Sequence, residues 1–204
     1  DLAMEAGSFV ESVRNRLAAF FKAEDPERVC FAANATDALN LGIFGLIRPG
    51  MHVISSRLEH NSVLRPLHYL HQSGIIDYTL VRFDARGFLD PQDIARAVRT
   101  NPGLVVLTHA SNVLGSVQPI PAIGRICAEH GLPLLLDAAQ SAGYIPIDMT
   151  SWNVGAVAFT GHKALLGQPE SAFAAEILGH EHEFPGFIDF VAERHGWSPP
   201  MSDA

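Results

Sequence analysis

The chain lacks any apolar run long enough to span a bilayer; the longest, residues 41–47 and 132–136, fall far short. No charged-then-apolar leader opens it. Only two cysteines, Cys30 and Cys127, occur in 204 residues, too few for a disulfide framework, so a reducing cytoplasm is the expected compartment. Basic residues are outnumbered, with 14 Lys and Arg against 22 Asp and Glu. The resulting net charge of −8 argues against a nucleic-acid partner, which wants a basic face, and nothing points to a membrane partner. No glycine-rich fingerprint follows the first strand-like segment, which argues against a dinucleotide site. Internal repeats and low-complexity tracts are missing as well. What remains is 48% hydrophobic and 18% charged, ample for one buried core. The chain opens with Asp1 and enters a helical pattern almost at once, so it reads as a piece of something longer.

Within that frame the pattern alternates. Phe9, Val10, Val13, Leu17, Phe20 and Phe21 recur at helical spacing, Asp25-Pro26-Glu27 breaks the helix, and residues 29–32 read as a strand. Asn34-Ala35-Thr36-Asp37 supplies capping residues for a helix running to about Ile47. Strands follow at 52–55, 78–83, 104–108, 133–137 and 156–159, with helices at 60–71, 91–98 and 120–130 between them. Near-continuous apolar strands separated by helices of about ten residues predict an α/β fold, a mainly parallel sheet sandwiched by helices. The rhythm fades after Gly167. A domain over 1–167 and a distinct tail over 168–204 are expected, the tail carrying short helices near 171–178 and 187–195.

Ligands of open α/β sheets gather at the carboxyl ends of strands, and the polar clusters fall there. Asn34-Ala35-Thr36, Glu59-His60-Asn61, Thr108-His109-Ala110-Ser111-Asn112, Asp137-Ala138-Ala139-Gln140 and Thr160-Gly161-His162-Lys163 each follow a strand. Backbone N–H groups and the Thr36 hydroxyl at a helix start can hold a phosphate. A lysine for a Schiff base and an acid for a pyridinium nitrogen are the two groups that pyridoxal phosphate chemistry requires; Lys163 and Asp137 supply them.

The strings NATDALNL, EHNSVLRPL, THASNVLG, LLLDAAQSAG and FTGHKALLG, in this order and spacing, resemble the class V aminotransferase superfamily of fold-type I pyridoxal phosphate enzymes. The resemblance covers roughly residues 5–167 and is nearest to the cysteine desulfurase and selenocysteine lyase branch. It implies the large domain of such an enzyme, here truncated at both ends, with pyridoxal 5'-phosphate as cofactor. Lys163 would carry the cofactor as a Schiff base and shuttle the Cα proton, Asp137 would pair with the pyridine nitrogen, and His60 would stack on the ring. Gln140 and Asn112 would meet the phenolic edge, while Ala35, Thr36, Thr160 and His162 would surround the phosphate. A small amino-acid substrate, a homodimer and a sulfur-acceptor protein are implied with it. The activity implied is removal of sulfur or selenium from cysteine or selenocysteine, leaving alanine.

Plainer readings stand beside these roles. His60 and Asp137 are also helix-capping types, Thr36 is an ordinary N-cap, Lys163 could be a surface lysine, and Asn112 could only shape a turn. His109, one residue off the strand parity of the cluster, points to the other side of the sheet. His180 and His182 lack a third ligand, so no metal site is expected. The family pattern is broken at Gln168-Pro169-Glu170-Ser171, which replaces a glycine-rich turn and leaves the next strand lost or displaced. Neither the arginine that grips the substrate carboxylate nor the attacking cysteine has a counterpart. Arg194 lies in the unmatched tail and both cysteines precede Lys163. Two alternatives follow, another class V aminotransferase or lyase, and a noncatalytic remnant acting by cofactor binding or association.

Overall fold

Leu134-Leu135-Leu136 is apolar at every position because both of its faces are covered. Leu134 and Leu136 belong to one hydrophobic cluster, Leu135 to another on the opposite side of the sheet. The next strand repeats the alternation: Val157 and Phe159 join the first cluster, Ala156 and Ala158 the second. The computed structural model describes residues 2–167 and 172–175.

Among the described residues, seven strands form one sheet: β1 (Val29–Ala32), β2 (His52–Ser56), β3 (Asp77–Val81), β4 (Pro102–Thr108), β5 (Leu134–Asp137), β6 (Ala156–Thr160) and β7 (Ala172–Ala175). Their order is β1-β7-β6-β5-β4-β2-β3. The five strands from β6 to β3 pair in parallel, and β7 runs antiparallel to both β6 and β1. Flanking β7 on either side, β1 and β6 therefore point the same way. The carboxyl ends of β1, β2, β4, β5 and β6 share one edge.

Among the described residues, six helices cover the sheet: α1 (Leu2–Phe21), α2 (Ala35–Leu46), α3 (Asn61–Gln72), α4 (Pro91–Ala97), α5 (Ile120–Glu129) and α6 (Met149–Trp152). Leu39, Ile43 and Leu46 of α2 and Val63, Leu67 and Leu70 of α3 pack on the Leu135 face. Phe21 of α1, Ile94 of α4, Ile120 and Ile123 of α5 and Met149 of α6 pack on the other. Phe21 reaches the sheet through Phe159, ring centre to ring centre 4.5 Å. The helix starts follow the sequence signals: Asn34 Oδ1 accepts from Asp37 N at 2.9 Å and Asp90 Oδ1 from Gln92 N at 2.9 Å. At the α5–α6 crossing a Cβ on Gly124 would lie 1.7 Å from the Trp152 carbonyl oxygen, so only glycine allows these helices to meet.

Two expectations need correction. Residues 172–175, expected within a short helix, form β7, and the strand expected to be lost or displaced stands between β1 and β6. Ala-Phe-Ala-Ala has high helix propensity, but two flanking strands offer it a complete set of backbone partners, and that tertiary pairing decides. The short helix α6 was not anticipated; Asp148 caps it through Ser151 N at 2.9 Å. The helix expected at 187–195, the His180–His182 run and Arg194 lie outside the described residues.

Candidate active site

Strand parity assembles the site. Asp137 continues the Leu135 face of β5, Thr160 the Ala156 and Ala158 face of β6, and Thr108 the Leu104 and Val106 face of β4. All three therefore lean toward the side carrying α2 and α3, whose N-termini open at the same edge. His109 has the opposite parity. It packs edge-on against Trp152 with ring centres 5.6 Å apart, and its Nδ1 lies 2.9 Å from Ser141 Oγ, below the sheet as anticipated.

The helix starts are tied to one another. Thr36 Oγ1 lies 2.7 Å from Ser62 Oγ, which lies 2.8 Å from His60 Nδ1. Ser62 N donates to that same ring nitrogen at 3.1 Å, so His60 caps α3 through Nδ1. The capping ring is exposed at the rim, close enough to Asp137 to act on its proton affinity. Ser62 escaped the sequence reading; a hydroxyl two residues beyond a capping histidine was the available signal. Ala35 begins α2, half-buried, beside exposed Thr36.

Asp137 is 5% exposed, and its Oδ1 accepts from Ala139 N at 2.9 Å. Burial raises its proton affinity above the carboxylate norm, against the Ala139 hydrogen bond and the charges of Lys163 and His60. The charges of Lys163 and His60 offset only part of the cost of ionising this buried carboxyl. Lys163, half-buried, sits on the turn after β6, where Leu166 N bonds Lys163 O at 3.1 Å and Gly167 N bonds Gly161 O at 2.7 Å. This turn rests on the segment following Asp137. Gly143, at φ +97°, lies so close that a Cβ there would stand 2.9 Å from that of Ala164. Thr160 Oγ1 lies 2.7 Å from His162 Nδ1. Gln140 and Asn112 are exposed at the same edge, each the last residue of the strand-end cluster of β5 or β4.

Glu59 was named in the sequence only as part of its strand-end string. It is buried, accepts from Ser56 Oγ at 2.5 Å through Oε1, and is pushed up to about 8, mainly by burial. The two thiols are poor nucleophiles: burial raises both, Cys127 to about 12.

A buried carboxyl, a lysine on the adjoining turn and a helix start bearing a hydroxyl match the donor set of a pyridoxal phosphate site. The family model for aminotransferase class-V matches residues 1–169. The chain belongs to the class-V aminotransferase family. A mitochondrial cysteine desulfurase of Arabidopsis thaliana is 37% identical over 164 residues, covering 78% of this chain and 36% of that protein. The cysteine desulfurase IscS of Pectobacterium atrosepticum is 36% identical over 193 residues, covering 88% and 47%. Among solved structures, the apo cysteine desulfurase of Thermococcus onnurineus superposes with TM-score 0.83 at 27% identity, covering 90% of this chain and 46% of that one. The chain spans less than half the length of these relatives. Class-V aminotransferases work with pyridoxal phosphate, and the residues at this rim fit that cofactor. Among the described residues no helix is long and apolar enough to cross a membrane.

Proposed function

We propose that the chain supplies the cofactor-binding part of a pyridoxal phosphate-dependent cysteine desulfurase, which takes sulfur from cysteine and leaves alanine. The observation that carries this is Asp137, buried at the rim on the face of the α2 and α3 N-termini, within the field of Lys163 and His60. Ala35 N–H and the Thr36 hydroxyl would hold the phosphate from the start of α2, with Thr160 and His162 completing its shell. Asp137 would hold the proton on the pyridine nitrogen, and His60 would lie against the ring. Gln140 and Asn112 would donate to its oxygen edge. Bound in this way, the cofactor supplies an electron sink for charge developing at the substrate Cα. The Lys163 amine, released from the cofactor, would move the Cα proton. We take residues 1–167, together with β7, as part of the large domain and the rest of residues 168–204 as a tail. A homodimer, a sulfur-acceptor protein and a reducing, cytoplasmic setting belong to the same reading.

One observation favours a narrower role for these residues alone. Cys30 and Cys127 are held as thiols, so among the described residues none is fit to attack the substrate sulfur. Cofactor capture without turnover is the behaviour expected of the isolated chain. Incubation with pyridoxal phosphate followed by borohydride should add one cofactor mass to the peptide holding Lys163, and Lys163→Ala should abolish it. Absence of that adduct in the wild-type chain would refute the proposal. Sulfide, selenide, alanine and keto-acid products from cysteine, selenocysteine and other amino acids would then separate a desulfurase from an aminotransferase.

A further inference from the structure

Glu59 is a buried acid that the proposed chemistry does not use. The backbone register of β2 with β4 runs through Val53–Leu104 and Ile54–Val105, after which side chains take over. Ser55 Oγ donates to the Val106 carbonyl at 2.8 Å, and Ser56 Oγ donates to Glu59 Oε1 at 2.5 Å. Glu59 lies beside the backbone of Thr108, whose β5 partner in register is Asp137. Its second oxygen, Oε2, is buried with no hydrogen-bond partner among the described residues. An ionised carboxylate with one bare, desolvated oxygen is strongly disfavoured, whereas the neutral acid tolerates the same place.

We propose that Glu59 is a positioning residue for Asp137: an uncharged acid that closes the gap between β2 and β4 and leaves Asp137 as the charge offered at the rim. This rests on the cofactor reading above. The groups facing Glu59 are Asp137 from β5, the Thr108 backbone from β4 and Ser56 from the end of β2; His60 adjoins it in the chain. Burial and the Asp137 charge favour its protonated form, while Ser56 and Thr108 offset part of that, leaving it at about 8. Were Glu59 ionised at neutral pH, two carboxylates would compete for one proton, and Asp137 would lose its hold on the charge a pyridinium requires.

The test begins without cofactor. Carboxyl-carbon NMR of the full chain, labelled at Glu and Asp, should show a Glu59 signal titrating near pH 8 and absent in Glu59→Gln. The Asp137 signal should carry a second, smaller step at that same pH, also absent in Glu59→Gln. Ser56→Ala, which removes a donor favouring the charged form, should move both steps to higher pH and serves if Glu59→Gln does not fold. A Glu59 midpoint in the ordinary carboxylate range overturns the proposal. So does a high midpoint with no step at Asp137, which would leave Glu59 a structural plug. With pyridoxal phosphate added, the bound absorbance should register the Glu59 step in the wild type and lose it in Glu59→Gln. If the wild-type chain takes up no cofactor, the reading of the site fails and the role of Glu59 with it. If cofactor binds but the titrations disagree, the assignment of Glu59 fails alone.

Discussion

At the scale of single residues, the site is made from groups that weaken the fold. Asp137 is buried, and its proton affinity is raised, chiefly by desolvation. An acid whose folded-state value exceeds its unfolded one contributes stability fully below the unfolded value and loses it as pH rises through the folded one. Above the acid range, unliganded protein therefore bears the strain of a buried charge only partly offset. Asp137→Asn keeps an oxygen for the Ala139 N–H and removes the charge. The variant should melt higher than the wild type without cofactor, by a margin that widens as pH rises above about 4. It should also bind pyridoxal phosphate far more weakly. Thermal melts across pH, with and without cofactor, check both; a variant less stable than the wild type at pH 7 would contradict the first.

At the scale of elements, close approaches set the layout. Gly124 lets α5 cross the end of α6, where a methyl group would collide with the Trp152 carbonyl. Gly124→Ala should cost about 2–3 kcal/mol or more in urea unfolding, since a backbone atom cannot rotate away like a side chain. Much of this layer was legible beforehand. The strands at 52–55 and 104–108 and the helices at 60–71 and 120–130 lie within one or two residues of their positions because apolar runs and capping residues bracket them. The strand-end residues Thr36, His60, Asp137 and Lys163 were legible as a group, since a parallel sheet places such ends on one edge. Other features were not. β7 is specified by its neighbours on either side rather than by its own four residues. The Thr36–Ser62–His60 chain joins segments 26 residues apart, which no local pattern announces. Helix α1 has the predicted type, but Phe9 stands 71% exposed where its spacing suggested a core face.

At the scale of the whole molecule, two buried groups pull the pH dependence of stability in opposite directions. His109, neutral beside Trp152 and Ser141, is pushed down by burial to about 4 from 6.5. Its contribution is complete above pH 6.5 and is lost as pH falls toward 4. Glu59 acts in reverse: its contribution is complete below 4.5 and is lost as pH rises to about 8. Each gap is worth roughly 3–5 kcal/mol at full extent. Between about pH 4.5 and 6.5 the two slopes oppose each other, and above 6.5 that of Glu59 acts without this offset. Stability should decline above pH 6.5, as measured by denaturant midpoints. Glu59→Gln should flatten the alkaline decline, and His109→Asn the acidic one.

The position of β7 bears on how the polypeptide is made. Val29 of β1 finds its sheet neighbour in Ala175, so β1 waits for the last described strand to be synthesised before it gains that partner. Until then Ala156–Thr160 also presents an open apolar border. Released chains that end shortly before residue 172 would carry two bare strand edges at once, a state prone to aggregation.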